Sequence, residues 1–292
     1  MGAMAMGTLR RTALVLGATG ELGGDIARRM VGLSSTLVVH GPDPDALTRL
    51  RAELESIDER CRIVAVPADF ASLTATRDLV RHCSRASGEM DFVVNAVDLL
   101  PPKTRLITED GNELTWQVNY LGPAMVALGL MPLLRNSLAG RIVHVVRDQQ
   151  RVGVPKATEL GGGRRYYPAW SYTEAKLALM MLSQTMAAKL RGTGCRSLTI
   201  QPAGVEVGAA PAPLSRGLMV DAVLYACTSP SVPNGAYLRG RRVHPLPRAA
   251  AGAAAQQRMW RATCRTLALD LRTGWPMRPP DLADQPLVTR EG

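Results

Sequence analysis

The chain has 292 residues, of which 46% are hydrophobic, enough apolar material for one large core and consistent with one domain. A formal charge of +10 raises the question of a nucleic-acid partner, but the arginines are dispersed. Only short pairs such as Arg164-Arg165 and Arg241-Arg242 occur, with no aromatic-interleaved basic stripe, so a solvated surface is expected and no nucleic acid.

From the N-terminus, Met1 to Gly7 reads as an extension or expression remnant that leads into Arg10 and Arg11 and then a buried-strand pattern. That order is the reverse of a signal peptide, and a cytoplasmic protein is expected. The run Thr12 to Leu16 is followed by Gly17-Ala18-Thr19-Gly20-Glu21-Leu22-Gly23 and then a helical pattern through Ile26, Ala27 and Met30. Glycines between a strand and a helix let the backbone turn tightly and approach a pyrophosphate, whose charge is favoured at the helix N-terminus. Their Gly-x-x-Gly-x-x-Gly spacing differs from the Gly-x-Gly-x-x-Gly of larger dinucleotide domains.

Further apolar runs at Thr36–Val39, Ile63–Val66, Phe92–Ala96, Ile142–Val146 and Ser197–Ile200 read as buried parallel strands, with a last short strand near Ala236–Leu238. Helices are expected at Ala46–Ile57, Ala124–Leu134 and Leu177–Leu190, and through Trp260 and Leu267. This alternation predicts an α/β fold, a Rossmann-type doubly wound parallel sheet of about seven strands with helices on both faces. One domain over residues 8–271 is expected, with a poorly ordered tail over 272–292, rich in Pro and polar residues. No run of about 18 apolar residues occurs, since Ala124–Leu134 is short and contains Gly129 and Pro132, so no membrane span is expected. Cys61, Cys83, Cys195, Cys227 and Cys264 form an odd set without metal or redox spacing and read as reduced structural thiols. The histidines, His40, His82, His144 and His244, are scattered, and no metal site is assigned.

The acid–base motif is Ser171-Tyr172-Thr173-Glu174-Ala175-Lys176, in which Tyr172 and Lys176 fall one helical turn apart. A phenol is a weak acid at neutral pH, and a neighbouring ammonium favours the phenolate. Together with the glycine turn, this motif resembles the short-chain dehydrogenase/reductase family over about Thr12 to Trp260. The likeness extends to Asp69 in Ala68-Asp69-Phe70, Val94-Asn95-Ala96-Val97 in place of Asn-Asn-Ala-Gly, and Gln201-Pro202-Ala203-Gly204 after the sixth strand. Thr108-Glu109-Asp110-Gly111, Val118-Asn119-Tyr120-Leu121-Gly122 and Asn234-Gly235-Ala236-Tyr237-Leu238 resemble the retinol-dehydrogenase and protochlorophyllide-reductase branch.

The resemblance implies NAD or NADP held by Gly17, Thr19, Gly20, Glu21, Leu22, Gly23, Asp69, Phe70, Asn95, Ala96, Tyr172, Lys176, Pro202, Gly204 and Val205. Tyr172 would be the general acid in reduction and the base in oxidation. Lys176 would hold the nicotinamide ribose, and the backbone carbonyl of Asn119 would hold a water linking Lys176 to solvent. The cofactor choice stays open, because Pro42 stands where the branch has an Arg, and Gly41 stands where NAD enzymes have an acidic residue, with Asp43 two positions on. The family's serine is missing: in His144-Val145-Val146-Arg147, Arg147 takes its place, either as an oxygen binder or turned to solvent. Val97 replaces a glycine beside the nicotinamide, His144 is either a satisfied core histidine or a polar group behind the site, and Tyr166 or Tyr167 could supply the missing hydroxyl. The segments Leu99–Leu106, Arg147–Trp170 and Val205–Arg216 are expected to form the lid.

The expected activity is NAD(P)-dependent reduction of a carbonyl or oxidation of an alcohol on a small hydrophobic or aromatic molecule, in secondary metabolism. The alternative is non-redox proton chemistry by a lyase, isomerase or cyclase, or a non-catalytic protein on the same fold. Leu177, Met180, Met181, Gln184 and Met186 give either core or an interface, and the family habit implies a homodimer or homotetramer.

Overall fold

The short apolar runs read as strands become strands, and the segments between them become helices. The computed structural model describes residues 11–146, 166–202, 206–207, 210–211 and 215–269. The chain runs β1 (Thr12–Leu16), α1 (Glu21–Val31), β2 (Thr36–Gly41), α2 (Pro44–Ile57), β3 (Arg62–Pro67), α3 (Leu73–Ala86) and β4 (Phe92–Asn95). It continues through α4 (Leu114–Trp116), a π turn over Gln117–Leu121, α5 (Gly122–Gly129), α6 (Met131–Asn136), β5 (Arg141–Val145), α7 (Pro168–Lys189) and β6 (Arg196–Gln201). A small hairpin of β7 (Glu206–Val207) and β8 (Ala210–Pro211) precedes α8 (Arg216–Thr228), β9 (Tyr237–Arg239), β10 (Arg242–His244), α9 (Arg248–Ala251) and α10 (Ala253–Thr266).

The main sheet has eight strands in the order β10-β9-β6-β5-β4-β1-β2-β3, parallel throughout except for the β9–β10 pair. This is the expected doubly wound α/β architecture with one strand more than the sequence reading gives. The extra strand exists because Gly240, at φ 56°, allows a tight reversal that pairs Arg242 with Arg239.

Alternation along the strands feeds two cores. Leu14, Leu16, Val93 and Ile142 face the layer containing α3, α5 and α7, while Ala13, Val15, Val94 and Val143 face α1 and α8. Tyr237, His144 and Asn95 lie on the same sheet face as Leu16, through the register pairs linking Asn95 to Leu16 and His144, and Thr199 to His144 and Tyr237.

Three expectations about helices are corrected. The helix expected from Leu177 begins nine residues earlier, at Pro168, whose fixed φ and missing N–H suit the first turn. The single helix expected over Ala124–Leu134 is broken at Leu130, because Pro132 has no N–H to offer the carbonyl of Leu128. Helices α3 and α8 had no bounds assigned from the sequence; the buried stripe of α3 is Leu73, Thr76, Leu79 and Cys83.

The α7 face posed as core or interface is core. Leu177, Met180, Met181 and Met186 are buried under α10 and against β6, and Gln184 donates to the Gly235 carbonyl at 2.6 Å. The five cysteines are buried and outside any disulfide, and burial pushes the Cys83 and Cys227 thiols up to about 12. No helix among the described residues is long and apolar enough to cross a membrane. The expected extension (1–7) and tail (272–292) lie outside the described residues.

Candidate active site

A cleft of about 850 Å³ opens along the C-terminal ends of β1, β4, β5 and β6. At one end lies the glycine turn. Gly17 has φ 75°, and a Cβ there would meet the Val97 backbone at 3.0 Å; a Cβ on Gly23 would lie 2.1 Å from the Gly17 carbonyl oxygen. Neither position tolerates a side chain without opening the turn. Gly20 caps α1 without any side-chain hydrogen bond, so the first-turn N–H groups of α1 are left for an anion in the cleft. The residues present therefore fit a dinucleotide pyrophosphate.

Gly17, Thr19, Gly20, Glu21, Leu22 and Gly23 line this cleft together with Asp69, Phe70, Ala96, Lys176 and Pro202, so most of the expected cofactor residues are brought to one place. Asn95 lies beneath the floor, where its Oδ1 accepts the Val97 N–H at 3.2 Å and its Nδ2 meets His144 Nδ1 at 3.3 Å. Arg147, Gly204 and Val205 lie outside the described residues, as does most of the expected lid over Arg147–Trp170 and Val205–Arg216.

Sequence reasoning passed over His40. The pairing of Leu16 with His40 sets its ring under the glycine turn, where Nδ1 accepts the Gly17 N–H at 3.3 Å and Nε2 donates to the Ala68 carbonyl at 2.9 Å. The ring stacks on Phe70 with centroids 4.4 Å apart. Burial, opposed by the Ala68 hydrogen bond and the charge of Asp69, pushes His40 down to about 4, so it is neutral and its tautomer is set by its two partners. The available signal was its place at the end of the second strand, beside the turn.

At the adenosine end, Asp43 accepts the N–H groups of Asp45 and Ala46 as the cap of α2, which directs its Oδ1 to that helix. Pro42 lines the cleft there, and among the described residues the cationic lining side chains are Lys176 and Arg216. Arg216 stands across from the glycine turn, 2.9 Å from Glu21 and 3.6 Å from Asp25.

Towards the other end of the cleft Lys176 is in the lining, while Tyr172 is outside it and reaches it through Asp98. Helix α7 places Lys176 with its Nζ donating to the Val97 carbonyl at 2.6 Å, 3.3 Å from Asp98 Oδ1 and 5.4 Å from the Tyr172 ring centroid. The lysine is 1% exposed. The Tyr172 hydroxyl donates to Asp98 Oδ1 at 2.5 Å, and Asp98 lines the cleft. Tyr172 is held in place from one residue earlier, because the Ser171 hydroxyl donates to the buried Glu113 carboxylate, which also accepts the N–H groups of Thr115 and Trp116. Asp98 was not singled out from the sequence; it sits in the loop after β4, where no periodicity marks a side chain.

Asn119 lies in the π turn, a feature frequent at functional sites. Its side chain clamps both backbone groups of Leu99, accepting the N–H at 3.0 Å and donating to the carbonyl at 2.9 Å, and also donates to the Thr115 carbonyl at 3.0 Å. It therefore positions the loop that carries Val97 and Asp98. Val97 does not need glycine's freedom, for Ala268 alone among the described non-glycine residues has positive φ, and the Val97 side chain stands in the cleft wall.

His144 departs from the satisfied core histidine. It is fully buried with Nε2 unpartnered, and burial together with the charge of Lys176 pushes it down to about 3, so it is a neutral group behind the site. The Tyr166 hydroxyl donates to the Pro102 carbonyl at 2.9 Å, and Tyr167 stands exposed at the start of α7.

The family model described as short chain dehydrogenase matches residues 11–213. Mouse polyprenol dehydrogenase is 33% identical over 193 residues, which cover 63% of this chain and 56% of that protein. Mouse retinol dehydrogenase 14 is 26% identical over 205 residues, covering 66% of this chain and 60% of that protein. The chain thus spans less than two thirds of the length of these relatives. A 1-deoxy-11-beta-hydroxypentalenate dehydrogenase from Streptomyces exfoliatus is 26% identical over 211 residues, covering 71% of this chain and 70% of that protein. Among solved structures, an uncharacterized protein from Mycobacterium paratuberculosis superposes with a TM-score of 0.72 at 21% identity, covering 89% of this chain and 94% of that one. A short chain dehydrogenase from Escherichia coli complexed with NADPH has a TM-score of 0.62 at 17% identity, covering 80% of this chain and 97% of that one. With the glycine turn and Lys176 lining one cleft of the eight-stranded sheet, the chain belongs to the short chain dehydrogenase family and resembles its retinol-dehydrogenase-like branch.

Proposed function

We propose that this chain is an NAD(P)-dependent oxidoreductase that interconverts a carbonyl and an alcohol on a small hydrophobic molecule. The observation that carries the reading is a cleft with an anion-receiving helix terminus at one end and Lys176 and Asp98 in its lining at the other, where the Tyr172 hydroxyl is bonded to Asp98. A bound nicotinamide would supply or accept the hydride. Gly17, Gly20 and the first turn of α1 would hold the pyrophosphate, and Lys176 the nicotinamide ribose. Tyr172 gives its hydroxyl proton to the carbonyl oxygen in reduction and takes it back in oxidation.

Leu99, Val118, Val146 and Met219 in the cleft wall support an apolar substrate that excludes water. The names of the relatives point the same way, for they are dehydrogenases of polyprenol, retinol and a hydroxypentalenate, the last consistent with secondary metabolism. NAD and NADP are both retained, since neither a carboxylate free of capping at Asp43 nor a basic side chain near Pro42 favours one. The same reading takes the protein as cytoplasmic and as a homodimer or homotetramer using a face other than the buried α7 methionines. Light scattering checks the assembly, with a strictly monomeric mass counting against it.

Calorimetric titration with NADPH, NADP, NADH and NAD tests the cofactor, with micromolar binding of one couple expected. Tyr172→Phe should keep that binding while turnover falls at least a thousandfold, about 4 kcal/mol of barrier. A variant that still turns over would remove Tyr172 from its role.

A further inference from the structure

One carboxylate in the cleft stands where the tyrosine and the lysine meet. Asp98 Oδ1 accepts the Tyr172 hydroxyl at 2.5 Å and lies 3.3 Å from Lys176 Nζ, with the Asp98 side chain 28% exposed and the lysine nearly inaccessible. The loop that presents it is fixed on three sides: Val97 N–H is held by Asn95, the Val97 carbonyl by Lys176, and both backbone groups of Leu99 by Asn119. Asp98 is thus built into the site rather than lying across it by chance of surface packing.

We propose that Asp98 is a positioning residue of the acid–base pair, which keeps the proton on Tyr172 across neutral pH and thereby sets the enzyme in the direction of carbonyl reduction. This inference rests on the oxidoreductase reading for its consequence but not for its geometry. A carboxylate accepting the phenolic O–H stabilises the protonated phenol, and an adjacent negative charge opposes phenolate formation. The same carboxylate offsets the charge of the buried ammonium, which would otherwise favour phenolate. In reduction the O–H bond of Tyr172 would break and its proton would form the O–H bond of the product alcohol, the hydride for the carbonyl carbon being what a bound reduced nicotinamide would supply. The phenolate then regains a proton from solvent. Oxidation needs the phenolate at the outset, and the acidic side chain restricts that form to alkaline pH.

Among the described residues, other titratable groups lie on the elements around the pair. His144, from β5 beneath Lys176, is neutral; Glu113, from the α4 cap, is engaged by Ser171; Glu174 and Tyr166 belong to α7 and the residues before it. Arg147, which lies outside the described residues, is unchanged in every variant compared below.

The test is an ultraviolet titration of tyrosinate absorbance in the intact protein, which needs neither cofactor nor turnover. The chain has six tyrosines, so the Tyr172 curve is taken as wild type minus Tyr172→Phe. The same difference is then measured in the Asp98→Asn background, which keeps the shape and an acceptor oxygen but removes the charge, and in Asp98→Ala. The expected result is a Tyr172 midpoint lower by about one pH unit or more in both backgrounds, roughly a tenfold gain in phenolate at a given pH. Alcohol oxidation should extend to correspondingly lower pH. A midpoint unchanged or raised in Asp98→Asn, in protein that retains its circular dichroism, would overturn the proposal. A lowered midpoint in a protein with no nicotinamide turnover would support the Asp98 assignment while removing the oxidoreductase reading.

Discussion

Gly23 and Gly20 belong to one motif and yet differ in what they can tolerate. A Cβ on Gly23 would lie 2.1 Å from the Gly17 carbonyl oxygen, a backbone atom, whereas on Gly20 the nearest contact is 3.4 Å, an ordinary van der Waals distance. Gly23→Ala should therefore open the turn, costing roughly 1–3 kcal/mol of stability and cofactor affinity of about a hundredfold, while Gly20→Ala keeps a thermal stability close to wild type. Thermal melts with calorimetry check this, and equal behaviour of the two variants would refute the steric account. The turn was legible in the sequence because strand, glycines and helix are consecutive. His40 and Asp98 were not, since the first reaches the turn through the pairing of β2 with β1 and the second reaches Tyr172 across 74 positions of chain.

Glu113 joins two elements that the sequence shows as unrelated. Its carboxylate caps α4 and receives the Ser171 hydroxyl from α7, so it fixes the first turns of the helix that carries Tyr172 and Lys176. Glu113→Ala leaves two buried N–H groups and a hydroxyl without an acceptor and should cost roughly 2–4 kcal/mol in urea unfolding, with a lower kcat at nearly unchanged cofactor binding. Ser171→Ala, which removes one hydrogen bond, should cost about 1 kcal/mol. A loss no larger in Glu113→Ala than in Ser171→Ala would show that the cap does not anchor the helix. At this scale the strands were legible to within a residue or two because parallel strands buried on both faces leave continuous apolar runs. Helix starts and stops were less so: α7 starts at Pro168, ahead of its apolar stretch, and Pro132 divides a stretch whose hydrophobicity is unbroken.

Two buried neutral histidines shape the stability of the whole molecule. His40 is pushed down to about 4 and His144 to about 3, against an ordinary 6.5. Because each folded value lies below the unfolded one, the unfolded chain binds more protons as pH falls below about 6.5. The stability they contribute is complete above that pH and is lost towards pH 4, by roughly 3 kcal/mol for His40 alone. Urea midpoints measured from pH 7.5 to 4 should fall across this interval, with a shallower slope in His40→Asn. An unchanged slope in that variant would contradict the assignment. None of this was legible from four scattered histidines, since it depends on which of them the sheet encloses.

The Val97 peptide lies against Gly17 on one side and holds the ammonium of Lys176 on the other. One residue thus serves as a common wall for the nucleotide end and the proton-transfer end, and neither can drift alone over evolutionary time. A change that swells the turn displaces the lysine's acceptor, so tolerated changes at positions 17 and 97 would arrive in pairs. Deep mutational libraries of the two positions should show that covariation even where each single change is silent elsewhere in the molecule.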